Sequence, residues 1–245
     1  SRGLRPGERV YCGGTITGAY AEKALCLPSQ VHRLPECVSF AQGAALGIPY
    51  VTAYRALIQK GKARTGQTLL VHGASGGVGI AAVQIARALG MTVIGTASSD
   101  KGRRLVAEQG ARHVVDHSDL MHRQVLRQLS AGRGMDVILE MLANVNLATD
   151  LEVVAPGGTI VVIGNRGTIE INPRMLMARE ASIVGMVVLN ASTGDLAAIH
   201  AALYTGLENK TLRPVIAAEF PLAEAAKAHR VVMGPSHAGK IVLVP

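Results

Sequence analysis

The sequence has few aromatic residues, few cysteines and no long apolar run. Aromatic side chains make up 3% of the 245 residues and tryptophan is absent, which argues against a platform for stacking nucleic-acid bases. The cysteines Cys12, Cys26 and Cys37 are odd in number and form no CxxC pair, so neither a disulfide framework nor a zinc knuckle is predicted. No stretch approaches the roughly 18 apolar residues of a transmembrane helix, and no signal segment is recognisable. We therefore expect a soluble, cytoplasmic protein with reduced thiols.

Composition and charge narrow the class further. Hydrophobic residues make up 49% of the chain, which excludes a disordered tail and predicts one large or two modest domains. The net charge is +8, and residues 1–64 carry nine basic and three acidic side chains. Such a bias attracts polyanions from nucleotide phosphates to RNA, although a solvated basic face also explains it.

The chain changes character near residue 41. The earlier part is predicted to form short strands separated by glycine and proline, including one over residues 19–25. A helix near 50–59 is followed by apolar strands that alternate with helices, which predicts a parallel sheet covered on both faces, the doubly wound Rossmann architecture. The tail is expected to pack back against the opening strands. Predicted strands cover 68–72, 92–97, 114–115, 137–139, 159–163, 183–189 and 241–244, and tail helices lie near 195–204 and 222–232.

A glycine-rich turn follows the first of these apolar strands. In the pattern A-x-G-G-x-G, Ala74, Gly76 and Gly79 occupy the three fingerprint positions of a dinucleotide-binding turn, with Ala replacing the first Gly. Glycines there allow a tight turn, close approach of a pyrophosphate and close packing of helix on strand. The helix N-terminus supplies free amides and a favourable dipole for the phosphates. The pattern therefore predicts a dinucleotide cofactor.

The end of the second strand indicates which dinucleotide. An acidic residue there would bind the ribose 2′-hydroxyl of NAD, but the sequence reads Ala97-Ser98-Ser99. Asp100 is interpreted as the cap of the next helix. Basic residues follow at Lys101, Arg103 and Arg104, which suits a 2′-phosphate, although an exposed basic helix face explains them too. The sequence favours NADPH.

Four stretches resemble the zeta-crystallin-type quinone oxidoreductases of the medium-chain dehydrogenase/reductase superfamily. They are residues 47–57, 72–79, 140–147 and 166–174, and the likeness covers essentially the whole chain. The resemblance implies a Rossmann cofactor domain over 47–182 and a GroES-like catalytic domain formed by 1–46 and 183–245. It also implies that the chain lacks the family's N-terminal portion, which leaves open whether this chain alone is active.

The same resemblance implies the cofactor contacts. Ser75, Gly76, Gly77 and Val78 would hold the pyrophosphate, Ser98 would lie beside the 2′-phosphate, and His117 would flank the adenosine. The remaining expected contacts, on the cofactor or its nicotinamide side, are Asn146, Ile163, Gly164, Asn165, Arg166, Met186, Val187 and Val188. Without the resemblance, His117 reads as a surface histidine and Asn146 as a helix cap. No catalytic acid or base is assigned.

A metal is not expected. One zinc ligand of the related alcohol dehydrogenases is a Cys where this chain has Ile48, and the four-Cys lobe of their structural zinc is absent. The resemblance therefore implies zinc-independent reduction of quinones by NADPH, including ortho-quinones and one-electron steps.

Alternatives remain open at this point. Relatives also bind AU-rich RNA, and the basic opening segment with its patch Lys60, Lys62 and Arg64 could contribute to such binding here. Other relatives serve as lens crystallins. Enoyl and alkenal reductases share the glycine turn and the NADPH preference. The resemblance implies a homotetramer, and the apolar strand near 183–189 suits pairing of subunits at a sheet edge.

Overall fold

The computed structural model describes residues 3–234 and 238–245. A six-stranded sheet has the strand order β5-β4-β3-β6-β7-β8, and every neighbouring pair in it is parallel. Helices connect its successive strands. Its strands are β3 (Thr68–Val71), β4 (Thr92–Thr96), β5 (His113–Val115), β6 (Met135–Glu140), β7 (Val154–Val162) and β8 (Ser182–Gly185), and its helices are α3 (Gly77–Ala88), α4 (Asp100–Glu108), α5 (His122–Leu129), α6 (Ala143–Val153) and α7 (Pro173–Arg179).

The inner strands of the sheet are apolar because both of their faces are buried. In β3, Leu69 and Val71 belong to one core cluster and the intervening Leu70 to a second, and all three are fully buried. Residues of α3 pack in the first cluster, whereas Leu126 of α5 and Leu151 of α6 pack in the second. Helices thus cover both faces, and the predicted doubly wound α/β class is confirmed.

Further helices and strands precede and follow the sheet in the chain, and we call these parts the flanking segments. Before the sheet lie β1 (Val10–Cys12), β2 (Val31–Arg33), α1 (Phe40–Ala44) and α2 (Gly47–Tyr54), which continues as a π-helical segment, Arg55–Lys60. After it lie α8 (Thr193–Glu208), β9 (Ile216–Pro221), α9 (Ala225–Met233) and β10 (Lys240–Val244). β1 pairs antiparallel with β2, and β9 pairs parallel with β10.

The tail packs against the opening segment, as expected. The Tyr11 hydroxyl is 2.8 Å from Nδ1 of His200 on α8. Gln42 of α1 donates to the Pro214 carbonyl at 3.3 Å. The buried Arg55 forms an ion pair at 3.0 Å with Asp195 in the first turn of α8.

Several sequence predictions about the flanking parts were wrong. Residues 19–22 form bends and residues 23–25 have no regular structure, because the stretch is exposed and, within the described residues, only the Leu25 backbone bonds to a neighbouring segment. The domain boundary expected at residue 183 stays a prediction; that residue lies within β8, which is hydrogen-bonded to β7 as the sixth strand. The strand expected to reach Leu189 ends at Gly185, and a 3₁₀ turn follows at Val188–Asn190. Helix α7 and strand β9 were not predicted. Residues 1–2 and 235–237 of the expected domain ranges lie outside the described residues.

None of the helices within the described residues is long and apolar enough to cross a membrane.

Candidate functional site at the carboxyl edge of the sheet

The turn after β3 explains why alanine replaces the first fingerprint glycine. Gly73, one residue earlier, adopts the left-handed conformation with φ +57°, so the tight turn is made before Ala74. The Ala74 side chain packs against Gly95 of β4, where an added Cβ would lie 2.9 Å from it. A Cβ on Gly79 would lie 2.5 Å from the Ala74 Cα. Gly79 is therefore required for the close packing of α3 on the turn.

The N-terminus of α3 has the features of an anion site. Gly76 is its N-cap, and the first bond of the helix runs from the Ile80 amide to the Gly76 carbonyl at 2.9 Å. The amides of Gly77 and Val78 therefore have no partner inside the helix. A Cβ on Gly76 would meet nothing closer than the Gly73 carbonyl oxygen at 3.4 Å, so the missing side chain leaves the approach to these amides open.

The C-terminal part of the chain closes over this turn. The Gly239 amide donates to the Ser75 carbonyl at 3.1 Å. The Lys240 side chain crosses the start of α3, because its Cδ lies 2.8 Å from the position of a Cβ on Gly77. A cationic residue more than 160 positions further along the chain thus lies beside the helix N-terminus, and no local sequence signal predicts this.

At the end of β4, Ala97 is buried and Ser98 is exposed. The interpretation of Asp100 as the helix cap was wrong, because the Ser99 hydroxyl accepts from the Gly102 amide and Asp100 is the first residue of α4. Arg103 is bound to Asp100 and Asp116, which leaves Lys101 and Arg104 as the exposed cations of the predicted trio.

His117 follows β5 and faces the end of β4. Its Nδ1 lies 3.3 Å from Oγ1 of Thr96, which in turn accepts from the Gly73 amide at 3.2 Å. Partial burial and the charge of His72 lower the pKa of His117, so the ring is neutral at pH 7. The predicted adenosine contact is thus connected to the glycine turn through one threonine hydroxyl.

A buried ionisable cluster lies beneath the centre of this edge. Nε2 of His72 is 2.8 Å from Oδ1 of Asp150 and 3.5 Å from Oε2 of Glu140. Although burial opposes a charged ring, Asp150 and Glu140 raise the pKa of His72. Burial raises the pKa of Glu140 to about 7, with Asp150 adding to the rise and His72 opposing it. The cluster therefore holds protons at neutral pH that free carboxyl groups would lose.

The same cluster orients a predicted contact. Glu140 Oε1 accepts from the Leu142 amide and, at 3.2 Å, from the side-chain amide of Asn146. Asn146 lies within α6 rather than capping it. Sequence reasoning missed His72, Glu140 and Asp150 as a unit. Within the described ranges they are also the one group of three ligand-type side chains close enough to hold a metal ion, but the 2.8 Å contact is that of a hydrogen bond. That the protein needs no zinc stays a prediction.

The remaining predicted residues follow β7 and β8. Gly164 lies against the loop after β6, since a Cβ there would be 2.3 Å from the Met141 carbonyl oxygen. The Arg166 amide donates to the Asn144 side chain at 2.9 Å. Met186 is buried and Val187 is exposed. Ile163 and Asn165 belong to the loop after β7, and Val188 to the 3₁₀ turn after β8.

A cavity of about 160 Å³ adjoins Val188. Gly13, Val51 and the two histidines His32 and His200 are among its lining residues. The two imidazole rings are stacked with centroids 3.4 Å apart. Burial and His32 lower the pKa of His200 to about 4, and burial lowers that of His32. The cavity is therefore lined mainly by apolar groups and neutral imidazoles, together with Ser29 and Gln30, which the sequence analysis did not predict.

All of the predicted contact residues thus follow the carboxyl ends of strands or begin the helices that come next. Because every strand of the sheet is parallel, these ends meet at one edge. A parallel sheet in this order, with a glycine turn on a helix N-terminus, defines a dinucleotide-binding protein of the dehydrogenase class.

Comparisons with known proteins give the family. Residues 77–203, just over half of the chain, match the family model described as zinc-binding dehydrogenase. A quinone oxidoreductase of Pongo abelii is 46% identical over 242 residues, which cover 98% of this chain and 74% of that protein. The solved quinone oxidoreductase of Pseudomonas syringae pv. Tomato DC3000 is 28% identical with a TM-score of 0.87, covering 99% of this chain and 76% of that one. A mycobacterial protein solved with NADPH is 26% identical with a TM-score of 0.84, and the match covers 93% of this chain and 72% of that one.

The chain belongs to the quinone oxidoreductase family of the zinc-binding dehydrogenases. It is an oxidoreductase, and the resemblance inferred from its sequence is confirmed.

Proposed function

We propose that the protein reduces quinones with NADPH and without zinc. The observation that carries the proposal is the carboxyl edge of the sheet, where the glycine turn opens onto α3 and serines rather than an acid follow β4. The named activities of the relatives support the choice of acceptor.

The glycine turn fits the pyrophosphate of a dinucleotide. The open approach at Gly76 exposes the amides of Gly77 and Val78, and the α3 dipole favours negative charge there. Lys240 beside the same turn adds a cation. These residues, with Ser75, therefore hold and orient the phosphates in this proposal.

The end of β4 favours NADPH over NADH. Ser98 is exposed and uncharged, with Lys101 and Arg104 exposed in the helix that follows. A 2′-phosphate gains from these cations and meets no carboxylate at the strand end. The proposed cofactor contacts are Ser75, Gly76, Gly77, Val78, Ser98, His117, Asn146, Ile163, Gly164, Asn165, Arg166, Met186, Val187 and Val188.

The cavity beside Val188 suits a planar, uncharged acceptor. Its lining combines Val51 and Val188 with the uncharged rings of His32 and His200. When bound, NADPH supplies a hydride, so the protein's task is orientation and exclusion of water rather than activation of a nucleophile. The buried cluster contributes by fixing Asn146 through Glu140.

The direct test is NADPH oxidation by the purified chain with an ortho-quinone, a para-quinone or an α,β-unsaturated ketone as acceptor. Quinone turnover well above enone turnover supports the proposal. Preferential enone turnover would instead support an enoyl or alkenal reductase, and NADPH binding without turnover of any acceptor would separate cofactor binding from the proposed reaction. Binding to AU-rich RNA and a crystallin role remain predictions.

A glycine variant links the activity to the turn. Gly76→Ala adds a methyl group that the backbone accommodates, at 3.4 Å from the Gly73 carbonyl oxygen, but that covers the approach to the α3 amides. We expect its affinity for NADPH to fall by about tenfold or more. Gly185→Ala is the matched control, because a Cβ there meets nothing within 4 Å. Equal affinities in both variants would argue against a pyrophosphate at α3.

We further propose a cytoplasmic homotetramer. β8 is the last strand of the sheet, and Val187 and Leu189, just beyond it, are 55% and 84% exposed. A strand edge beside exposed apolar side chains is suited to pairing with a second copy. Light scattering should give four times the 25.5 kDa chain mass, and a monomer mass would contradict the proposal.

A further inference from the structure

Two of the three cysteines lie in contact although 13 residues separate them in the chain. The Cys26 Sγ is 3.3 Å from the Cys12 Sγ. Cys12 ends β1 and is exposed, whereas Cys26 is half-buried just before the 3₁₀ turn Pro28–Gln30. The third thiol, Cys37, lies elsewhere, with its Sγ 3.6 Å from the Leu207 carbonyl.

The backbone holds this pair together independently of the thiols. The Gly13 amide, next to Cys12, donates to the Gln30 carbonyl at 2.8 Å. Nearer Cys26, the Ile16 amide donates to the Leu25 carbonyl at 2.7 Å, and the Leu25 amide donates to Oγ1 of Thr17 at 3.2 Å. These bonds close the loop at both of its ends. A disulfide, with sulfurs about 2.05 Å apart, therefore needs a small movement of two side chains and no rearrangement of the fold.

We propose that Cys12 and Cys26 form an oxidation site at which a hydroperoxide converts the two thiols into a reversible disulfide. One sulfur attacks the O–O bond, giving a sulfenic acid and releasing the alcohol. The second thiol then attacks the sulfenic sulfur, forming the S–S bond and releasing water. Two electrons pass from the two thiols to the peroxide, and a dithiol reductant reverses the change.

Partial burial and the adjacent Cys26 thiol raise the pKa of Cys12 to about 11, so Cys12 keeps its proton at neutral pH and reacts only slowly as a nucleophile. Reducing conditions in a cytoplasm keep such a pair open between oxidation events.

The disulfide would lie next to the cavity beside Val188. Gly13, which follows Cys12 directly, lines that cavity. The link closes a ring of residues 12–26, most of which are exposed and make few backbone bonds. Fixing that ring removes conformational freedom from the unfolded chain, so oxidation should raise the melting temperature by several degrees.

The experiment treats the whole protein with tert-butyl hydroperoxide and counts free thiols by alkylation and intact mass. The expected product has lost two hydrogens, keeps one alkylatable thiol at Cys37, and regains all three thiols with dithiothreitol. Peptide mapping should find Cys12 joined to Cys26. These readouts do not depend on NADPH or quinone turnover, so they test the pair separately from the proposed activity.

Cysteine variants provide the controls. Cys37→Ser should form the disulfide as the wild type does, whereas Cys12→Ser and Cys26→Ser should lose it and show no rise in melting temperature. Three thiols that stay alkylatable after peroxide would overturn the proposal. So would oxidation of one cysteine to a sulfinic acid without cross-linking, or a disulfide between two chains.

Discussion

The inner strands of the sheet are buried on both faces, whereas the strands of the flanking segments are half in solvent. In β6, Ile138 and Leu139 are fully buried. In β9, half-buried and exposed positions alternate, and β1 has one buried residue among three. The sheet is thus stabilised by apolar burial. The flanking segments depend on particular polar contacts between distant residues, such as Tyr11 with His200 and Arg55 with Asp195.

Two groups of ionisable side chains, one in each region, respond to pH in opposite ways. The sheet contains His72 and Glu140, whose pKa values are raised, so their contribution to stability is lost as pH rises. The flanking segments contain His32 and His200, whose pKa values are lowered, so their contribution is lost as pH falls. The pH dependence of stability therefore distinguishes the His72–Glu140 cluster from the His32–His200 pair without any ligand.

The largest expected effect comes from a methyl group in the sheet region. Gly79→Ala places a Cβ 2.5 Å from the Ala74 Cα, where backbone must move. We expect it to lower the free energy of unfolding by about 3 kcal/mol, measured by urea denaturation. Gly47→Ala in α2 is the control from the flanking region, because its nearest atom is 4.0 Å away. Equal losses in the two variants would contradict the contrast in packing.

The acid side of the pH profile tests the flanking region. The pKa of His200 falls from 6.5 to about 4 on folding because burial and His32 disfavour its charge. Its contribution to stability is therefore present above pH 6.5 and lost as pH falls to 4. Between pH 7 and pH 4.5, the free energy of unfolding should fall by up to about 2 kcal/mol less in His200→Gln than in the wild type. Urea denaturation at the two pH values measures this difference.

His229→Gln is the matched control for this measurement. His229 also bonds a tyrosine hydroxyl, that of Tyr20 at 2.8 Å, but on the exposed surface. Its profile should follow the wild type. If the His200→Gln profile also follows the wild type, the stacked His32 and His200 do not destabilise the folded protein at acid pH.

The alkaline side tests the sheet. Burial raises the pKa of Glu140 from 4.5 to about 7, so its contribution is fully present below pH 4.5 and lost as pH rises through 7. Glu140→Gln keeps an acceptor for the Leu142 amide and has no charge to bury. The wild type should lose about 1 kcal/mol more than this variant between pH 5 and 8. Glu108→Gln, at an exposed position of α4, should lose as much free energy of unfolding between pH 5 and 8 as the wild type. If Glu140→Gln also loses as much as the wild type, Glu140 does not have the raised pKa.

The difference in burial between the sheet and the flanking segments also explains how much of the fold could be predicted from the sequence. The sheet was predictable because β3 is an apolar run and because parallel strands need helical crossovers. Helix α7 was missed although Asn172 caps it and Pro173 begins it, a recognised start signal. Strand β9 was missed because its residues, Ile216–Pro221, include Glu219 and alanines and form no apolar run.

The candidate site divides in the same way. The residues that follow strand ends were predictable, since parallel strands meet at one edge. His72 next to Glu140 also follows from the pairing of Val71 with Leu139. Three placements were not predictable, because tertiary packing alone produces each of them. They are Asp150 beside His72, Lys240 beside Gly77, and the stacking of His32 on His200.

The most direct test of the account is titration of NADPH and NADH into the wild type and into Ser98→Asp, followed by cofactor fluorescence. We expect NADPH to bind at least tenfold more tightly than NADH, and Ser98→Asp to lose about tenfold of that preference. Ser182→Asp, which adds the same charge at the exposed start of β8, should leave the preference unchanged. Equal affinities for the two cofactors, or a preference that Ser98→Asp does not alter, would contradict the account.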